Sequence, residues 1–127
     1  MQRLMDLAHA QGLRVMWRDL GRRRGEYRHT HGLIVLSTRL TGPQALSTFG
    51  HELGHAHYGD EESTPPAERR ADRHAARLLI TPGDYAAAEA VAGPHAGAIA
   101  RELGITRHLV EVWQDLRRDE APGRLMA

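Results

Sequence analysis

The stretch FGHELGHAHYGD, Phe49 to Asp60, restricts what this chain can build more than any other. Within it His51-Glu52-Leu53-Gly54-His55 reads H-E-x-x-H. On a helix, residues i and i+4 share a face about one turn apart. His51 and His55 can therefore hold one metal ion from the same side. Glu52 is offset by about 100°, beside the ion, where a carboxylate can polarise a metal-bound water. Leu46, Phe49, Leu53 and Ala56 gather on the opposite face, and Thr48 shares the ligand side. Thr41 can cap such a helix, Gly42-Pro43 can open it, and Gly59 lies beyond its end. The same helical phase turns His57 away from His51 and His55. The fold must then bury one face of this helix and present two imidazoles on the other.

The chain contains no cysteine. Thiolate-rich structural zinc sites are excluded, and any zinc site must use His, Asp, Glu and water, the ligand types of catalytic centres. Such a centre needs three protein ligands and one open position. Downstream, in PAERRADRHAARLLITP, Glu68 and Asp72 stand four apart on one helical face, near Ala71, Ala75, Leu78 and Leu79. A carboxylate pair on the apolar side of a helix is costly unless compensated. A metal ion and a ligand histidine would compensate it. Glu68 is therefore assigned as the third ligand, and Asp72 as acceptor for the outer N–H of a ligand histidine, fixing its tautomer. The competing readings are a dipole-favoured acid near a helix N-terminus for Glu68 and an ion pair with Arg69 or Arg73 for Asp72. His74 falls roughly 120° from the Glu68/Asp72 direction and is not taken as a ligand.

The rest of the chain supplies the frame. The first dozen residues read as a helix stopped by Gly12, with Leu4, Leu7, Ala8 and Leu13 near helical spacing. Arg14 to Leu20 alternates Val15 and Trp17 against Arg14, Met16 and Arg18, as a half-buried strand would. EYRHT and LIVLS flank His31-Gly32 and read as a hairpin, with LIVL as the best-buried strand. His29 and His31, two apart on a strand, would share a face. After Thr41 the pattern is helical. Pro65-Pro66 open a second helix, Thr81 caps a third, and Thr106 caps the last of two more. This order, a helix, a small three-stranded antiparallel sheet and a run of helices, is an α+β domain. The chain is read as one unit, 1–127: N-terminal helix and sheet to residue 40, active-site helices over 41–82, C-terminal helices over 83–120, and a frayed tail over 121–127.

STFGHELGHAHYGD followed by AERRADRHAARLLITP resembles the ImmA/IrrE family of metallo-endopeptidases. Those proteins pair an H-E-[LIF]-[GA]-H helix with a downstream E-x-x-A-[DN]-x-x-A-A-x-L-L segment. Here that segment is Glu68-x-x-Ala71-Asp72-x-x-Ala75-Ala76-x-Leu78-Leu79. The likeness covers Leu33 to Pro82. It departs at His74, where relatives carry a large apolar or aromatic residue, and at LLITP, one residue longer than their LLMP. The resemblance implies a zincin-like core of the thermolysin-like clan, with one Zn²⁺ on His51, His55 and Glu68 and with Glu52 as the catalytic glutamate. It also implies a substrate class: a transcriptional repressor of bacterial stress responses, mobile elements or phages, here expected to be a separate helix-turn-helix protein.

The net charge of +1 gives no general argument for nucleic acid or membrane binding. No apolar run approaches the ~20 residues of a membrane span, and the N-terminus lacks a secretion-signal core, so the expected location is the cytoplasm. IARELGITRHLVEVWQDLRR is half of a helix-turn-helix pattern, with Arg107, His108 and Arg117 able to reach DNA. Packing of Leu109, Val110 and Trp113 against the core is the preferred reading, and direct nucleic-acid binding is set aside. The alternatives kept are a catalytically weak metal-binding module that acts by binding a partner, and a DNA-associated regulator. For the group that stabilises the tetrahedral oxyanion, Tyr58, Tyr85, His95 and His108 remain open.

Overall fold

Local signals in the sequence set the helix boundaries. The computed structural model describes residues 1–120; the tail read as frayed, 121–127, lies outside them. Helix α1 spans Gln2–Ala10 and ends before Gly12 at φ 75°. Helix α2, Gly42–Tyr58, starts with a reciprocal cap: the Gln44 amide donates to the Thr41 hydroxyl, and the Gln44 side chain accepts from the Thr41 amide. It ends at Gly59 in the left-handed conformation, φ 65°. Thr64, Thr81 and Thr106 cap α3 (Pro65–Leu79), α4 (Pro82–Ala92) and α6 (Arg107–Asp119), each accepting from a first-turn amide. Helix α5 covers Ala96–Leu103.

The α+β class and the three strands hold, but the sheet is mixed where an antiparallel one was expected. Strands β1 (Arg14–Arg18), β2 (Gly25–Arg28) and β3 (Leu33–Ser37) lie in the order β1-β3-β2. The β2–β3 hairpin is antiparallel, whereas β1 runs parallel to β3. The cause is burial. All five residues of LIVLS are buried, so this segment takes the centre. Residues 19–24 then carry the chain across two strand spacings, about 10 Å. Two details also differ from the sequence reading. Trp17 is 47 % exposed on edge strand β1, and only Val15 reaches the core from that alternation. His29 and His31 sit in a single 3₁₀ turn, His29–His31, that closes the hairpin into Gly32, so they do not share a strand face.

Phe49 and Leu53 of α2 are fully buried against Leu4, Ala8, Leu13, Ile34 and Leu36. That packing is the wall behind the histidine face. On its flank, α2 meets α3 almost backbone to backbone. A Cβ on Gly54 would stand 2.8 Å from both the Ala71 Cα and its carbonyl oxygen, and one on Gly50 would stand 3.2 Å from the Ala75 Cβ. Beyond α3, helices α4 to α6 close over a second cluster, with Ile99, Val110 and Trp113 against Ala75 and Ala76. Leu46 and Leu79 touch both clusters. Leu109, Val110 and Trp113 are thus core residues of α6, as the packing reading expects.

Candidate metal centre

The close α2–α3 seam brings Glu68 over the histidine face of α2. His51 Nε2 lies 3.2 Å from Glu68 Oε2 and 3.1 Å from His55 Nε2, and His55 Nε2 also meets Glu68 Oε2. Each histidine is held from its far side. His51 Nδ1–H donates to Asp72 Oδ1 at 2.7 Å, and His55 Nδ1–H donates to Asp60 Oδ2 at 2.9 Å. Carboxylates only accept, so these bonds fix the ring protons on Nδ1. Both Nε2 lone pairs then converge on a carboxylate oxygen. Three electron-pair donors crowded at one point repel unless a cation stands among them. The two spacings from His51 Nε2, 3.2 and 3.1 Å, suit one: ligands about 2.0–2.1 Å from a tetrahedral metal stand about 3.3 Å from each other. His51, His55 and Glu68 therefore form a cluster suited to a divalent metal.

The family model for the IrrE N-terminal-like domain, a peptidase family, matches residues 8–112. The chain belongs to that family. No curated protein matches it. Family and ligand cluster together make this IrrE-like domain a metal-dependent protease.

Glu52 is 6 % exposed beside the cluster. Burial pushes its carboxyl up to about 7; the His51 and His55 charges pull it down, while those of Glu68 and Glu26 add to the rise. Burial alone would lower the His51 imidazole, yet the Asp72 hydrogen bond and the charges of Glu52, Asp72 and Glu68 raise it overall. Burial would raise the Asp72 carboxyl, but hydrogen bonds from His51 and His108 hold it below the usual range.

Two partners were not assigned from the sequence. Asp60 supports His55 and is itself held by Arg70 Nη2 at 3.0 Å. The signal was Gly59: its left-handed turn folds the chain back, so that the Asp60 amide donates to the His55 carbonyl. His108 donates from Nε2 to Asp72 Oδ2 at 2.9 Å, which leaves Asp72 shared between α2 and α6. The two histidines set aside on helical phase meet each other instead. His57 and His74 stack at 4.7 Å, outside the ligand cluster.

The cleft over the centre runs between β2 and the first turn of α6. Gly25, Thr48, His51, Glu52, Glu68 and His108 line it. Strand β2 presses onto the site at Gly25, where a Cβ would stand 2.7 Å from Thr48 Cγ2 and 3.4 Å from Glu52 Cγ. On the other side of Glu52 the cleft continues past Tyr27, Asp60, Glu61 and Glu62. No helix among the described residues is long and apolar enough to cross a membrane.

Proposed function

We propose that this chain is a zinc-dependent endopeptidase that makes a site-specific cut in a regulatory protein, a separate helix-turn-helix repressor. The observation that supports it is the convergence of His51 Nε2, His55 Nε2 and Glu68 Oε2 beside a buried carboxyl. Nitrogen and carboxylate donors without thiolate, three in number, are a catalytic zinc set. When bound there, zinc supplies Lewis acidity toward a carbonyl and lowers the pKa of a water toward about 7. His51, His55 and Glu68 hold the ion, while Asp72 and Asp60 fix the two imidazole tautomers. Glu52 takes the proton of the attacking water and returns it to the leaving amine.

The substrate lies along β2, whose outer edge has no partner strand among the described residues. The Ser37 amide donates to the Arg24 carbonyl, which places Arg24, Glu26 and Arg28 in the bonded pairs of the hairpin. By the alternation of an antiparallel ladder, the amides and carbonyls of Gly25 and Tyr27 point outward. An extended peptide added there crosses directly above Glu52. The repressor as substrate rests on the family resemblance. A reading with metal but little turnover makes the opposite prediction for Glu52.

The test is metal content and cleavage of three proteins. Wild type should carry stoichiometric zinc, and Glu68→Ala should lose most of it. Glu52→Gln should keep its zinc and lose about 10²–10⁴-fold in rate. Unchanged zinc in Glu68→Ala overturns the ligand assignment. A Glu52→Gln protein as effective as wild type in cells overturns hydrolysis in favour of partner binding.

A further inference from the structure

We propose that His108 stabilises the negative charge that forms on the scissile carbonyl oxygen, donating a hydrogen bond from Nδ1 while Asp72 fixes the ring through Nε2. This rests on the peptidase reading above and assigns a group which that reading leaves open.

Four other side chains could be considered, and none is free to serve. Tyr58 lies at the end of α2, under Arg70 and against the His57/His74 stack, and lines neither part of the cleft. Tyr85 stacks on Trp113 at 4.3 Å, and its hydroxyl accepts from Gln114. His95 precedes α5 as its N-cap and lines neither part of the cleft. Tyr27 does line the cleft, but its hydroxyl is engaged with His29 Nδ1 at 3.0 Å. It also shares its half with Asp60, Glu61 and Glu62, where a new anion would be repelled.

His108 occupies the opposite half. It lines the same wall as Thr106 and Leu109, across the cleft from Arg24 and Gly25. The wall is fixed, because the Thr106 amide donates to Ser47 Oγ at 3.0 Å and pins the start of α6 to α2. The ring is held at one end, at Nε2, with its side chain 68 % exposed to the cleft and solvent. Asp72 only accepts, so Nε2–H is committed to it. In its protonated form the ring has one further N–H, at Nδ1, free for a substrate. Cations stand on its side of the site, beside the carboxylates of Glu52, Glu68 and Asp72: Arg24 lines the same half, and Arg69 and Arg73 lie with His108 in the adjoining groove. Asp72 and Asp115 line that groove too. The start of the thirteen-residue α6 adds the positive end of its dipole.

In the reaction, the water oxygen bonds to the carbonyl carbon and the π pair moves onto the carbonyl oxygen. The water proton goes to Glu52. The C–N bond then breaks, and that proton passes to the amine. His108 gives up no proton; its Nδ1–H bond to the oxygen strengthens as charge builds and relaxes as the carbonyl reforms.

The experiment compares zinc-loaded wild type with His108→Phe and His108→Gln. Rates are measured on members of an internally quenched peptide library that wild type cuts. Affinity is measured for an N-phosphoryl dipeptide, whose tetrahedral oxygens imitate the oxyanion. The expected result is a loss of about 10²–10³ in kcat for His108→Phe, with KM and zinc content unchanged. Affinity for the phosphoryl dipeptide should fall in parallel, and His108→Gln, which keeps an N–H donor, should recover part of both. A His108→Phe protein that cuts at the wild-type rate overturns the proposal, as does a loss accounted for by lost zinc or by KM. If wild type cuts no library member, hydrolysis itself is in question. The phosphoryl dipeptide then decides for His108 alone: equal affinity in wild type and His108→Phe overturns the assignment.

Discussion

Two helix contacts in this protein are built in opposite ways. The α2–α3 seam, which sets the distance from His51 and His55 to Glu68, places Gly54 against the Ala71 backbone and Gly50 against Ala75 and the tip of Leu79. The layer of α4 to α6 is made of large side chains, among them Ile99, Val110 and the Tyr85/Trp113 stack. Interaxial distance follows the side chains at the contact. Glycine against backbone has no rotamer to adjust, so the seam holds one separation. A contact of long side chains can repack and lose stability without moving the backbone far. The metal centre is thus tied to the contact with the least freedom, and the C-terminal layer to the one with the most.

Gly54→Val should have the largest effect on metal binding. Its Cβ would meet backbone atoms of Ala71 at 2.8 Å, which cannot move aside. Overpacking typically costs about 1–3 kcal/mol; here a fall in melting temperature and loss of stoichiometric metal should appear together. Tight metal binding in a folded Gly54→Val protein would break the comparison. Asp60→Asn comes next. It leaves the seam intact and removes a charge that orients His55, so metal affinity should drop about 10–100-fold with the fold retained, as read by competition with a chelator. Ile99→Ala should have the smallest effect on the site. Denaturant unfolding of the metal-free protein should show a loss of about 2–5 kcal/mol, while metal affinity of the folded protein stays at the wild-type value. A parallel loss of metal affinity there would show that the two contacts are coupled.

What the sequence reveals of this fold follows the reach of its physics. Thr41, Gly42-Pro43 and Gly59 mark α2 because caps and left-handed turns act within a few residues. The spacings His51/His55 and Glu68/Asp72 define faces of single helices, and the structure brings those faces together. The parallel pairing of β1 with β3 depends on which strand is buried from all sides, a property of the whole assembly. Trp17 reads as half-buried because alternation reports a strand and not what covers it. Asp60 and His108 reach the site by a chain reversal and by the docking of a distant helix, and neither leaves a periodic mark.

The position of β3 also bears on the order in which this domain assembles. The β2–β3 hairpin closes over a single 3₁₀ turn and is local. Strand β1 has no site of its own until β3 is in place, since every strand pair it makes is with β3. It must also wait for closure of a longer loop. Helix α1 is nine residues long with no side-chain cap, too short to hold itself in water. The α1–β1 arm is therefore expected to dock late, and native-state hydrogen exchange should show β1 amides exchanging ahead of those of α2. Because Leu4, Ala8 and Leu13 of that arm back Phe49 and Leu53, its opening would strip part of the support from behind the histidine face.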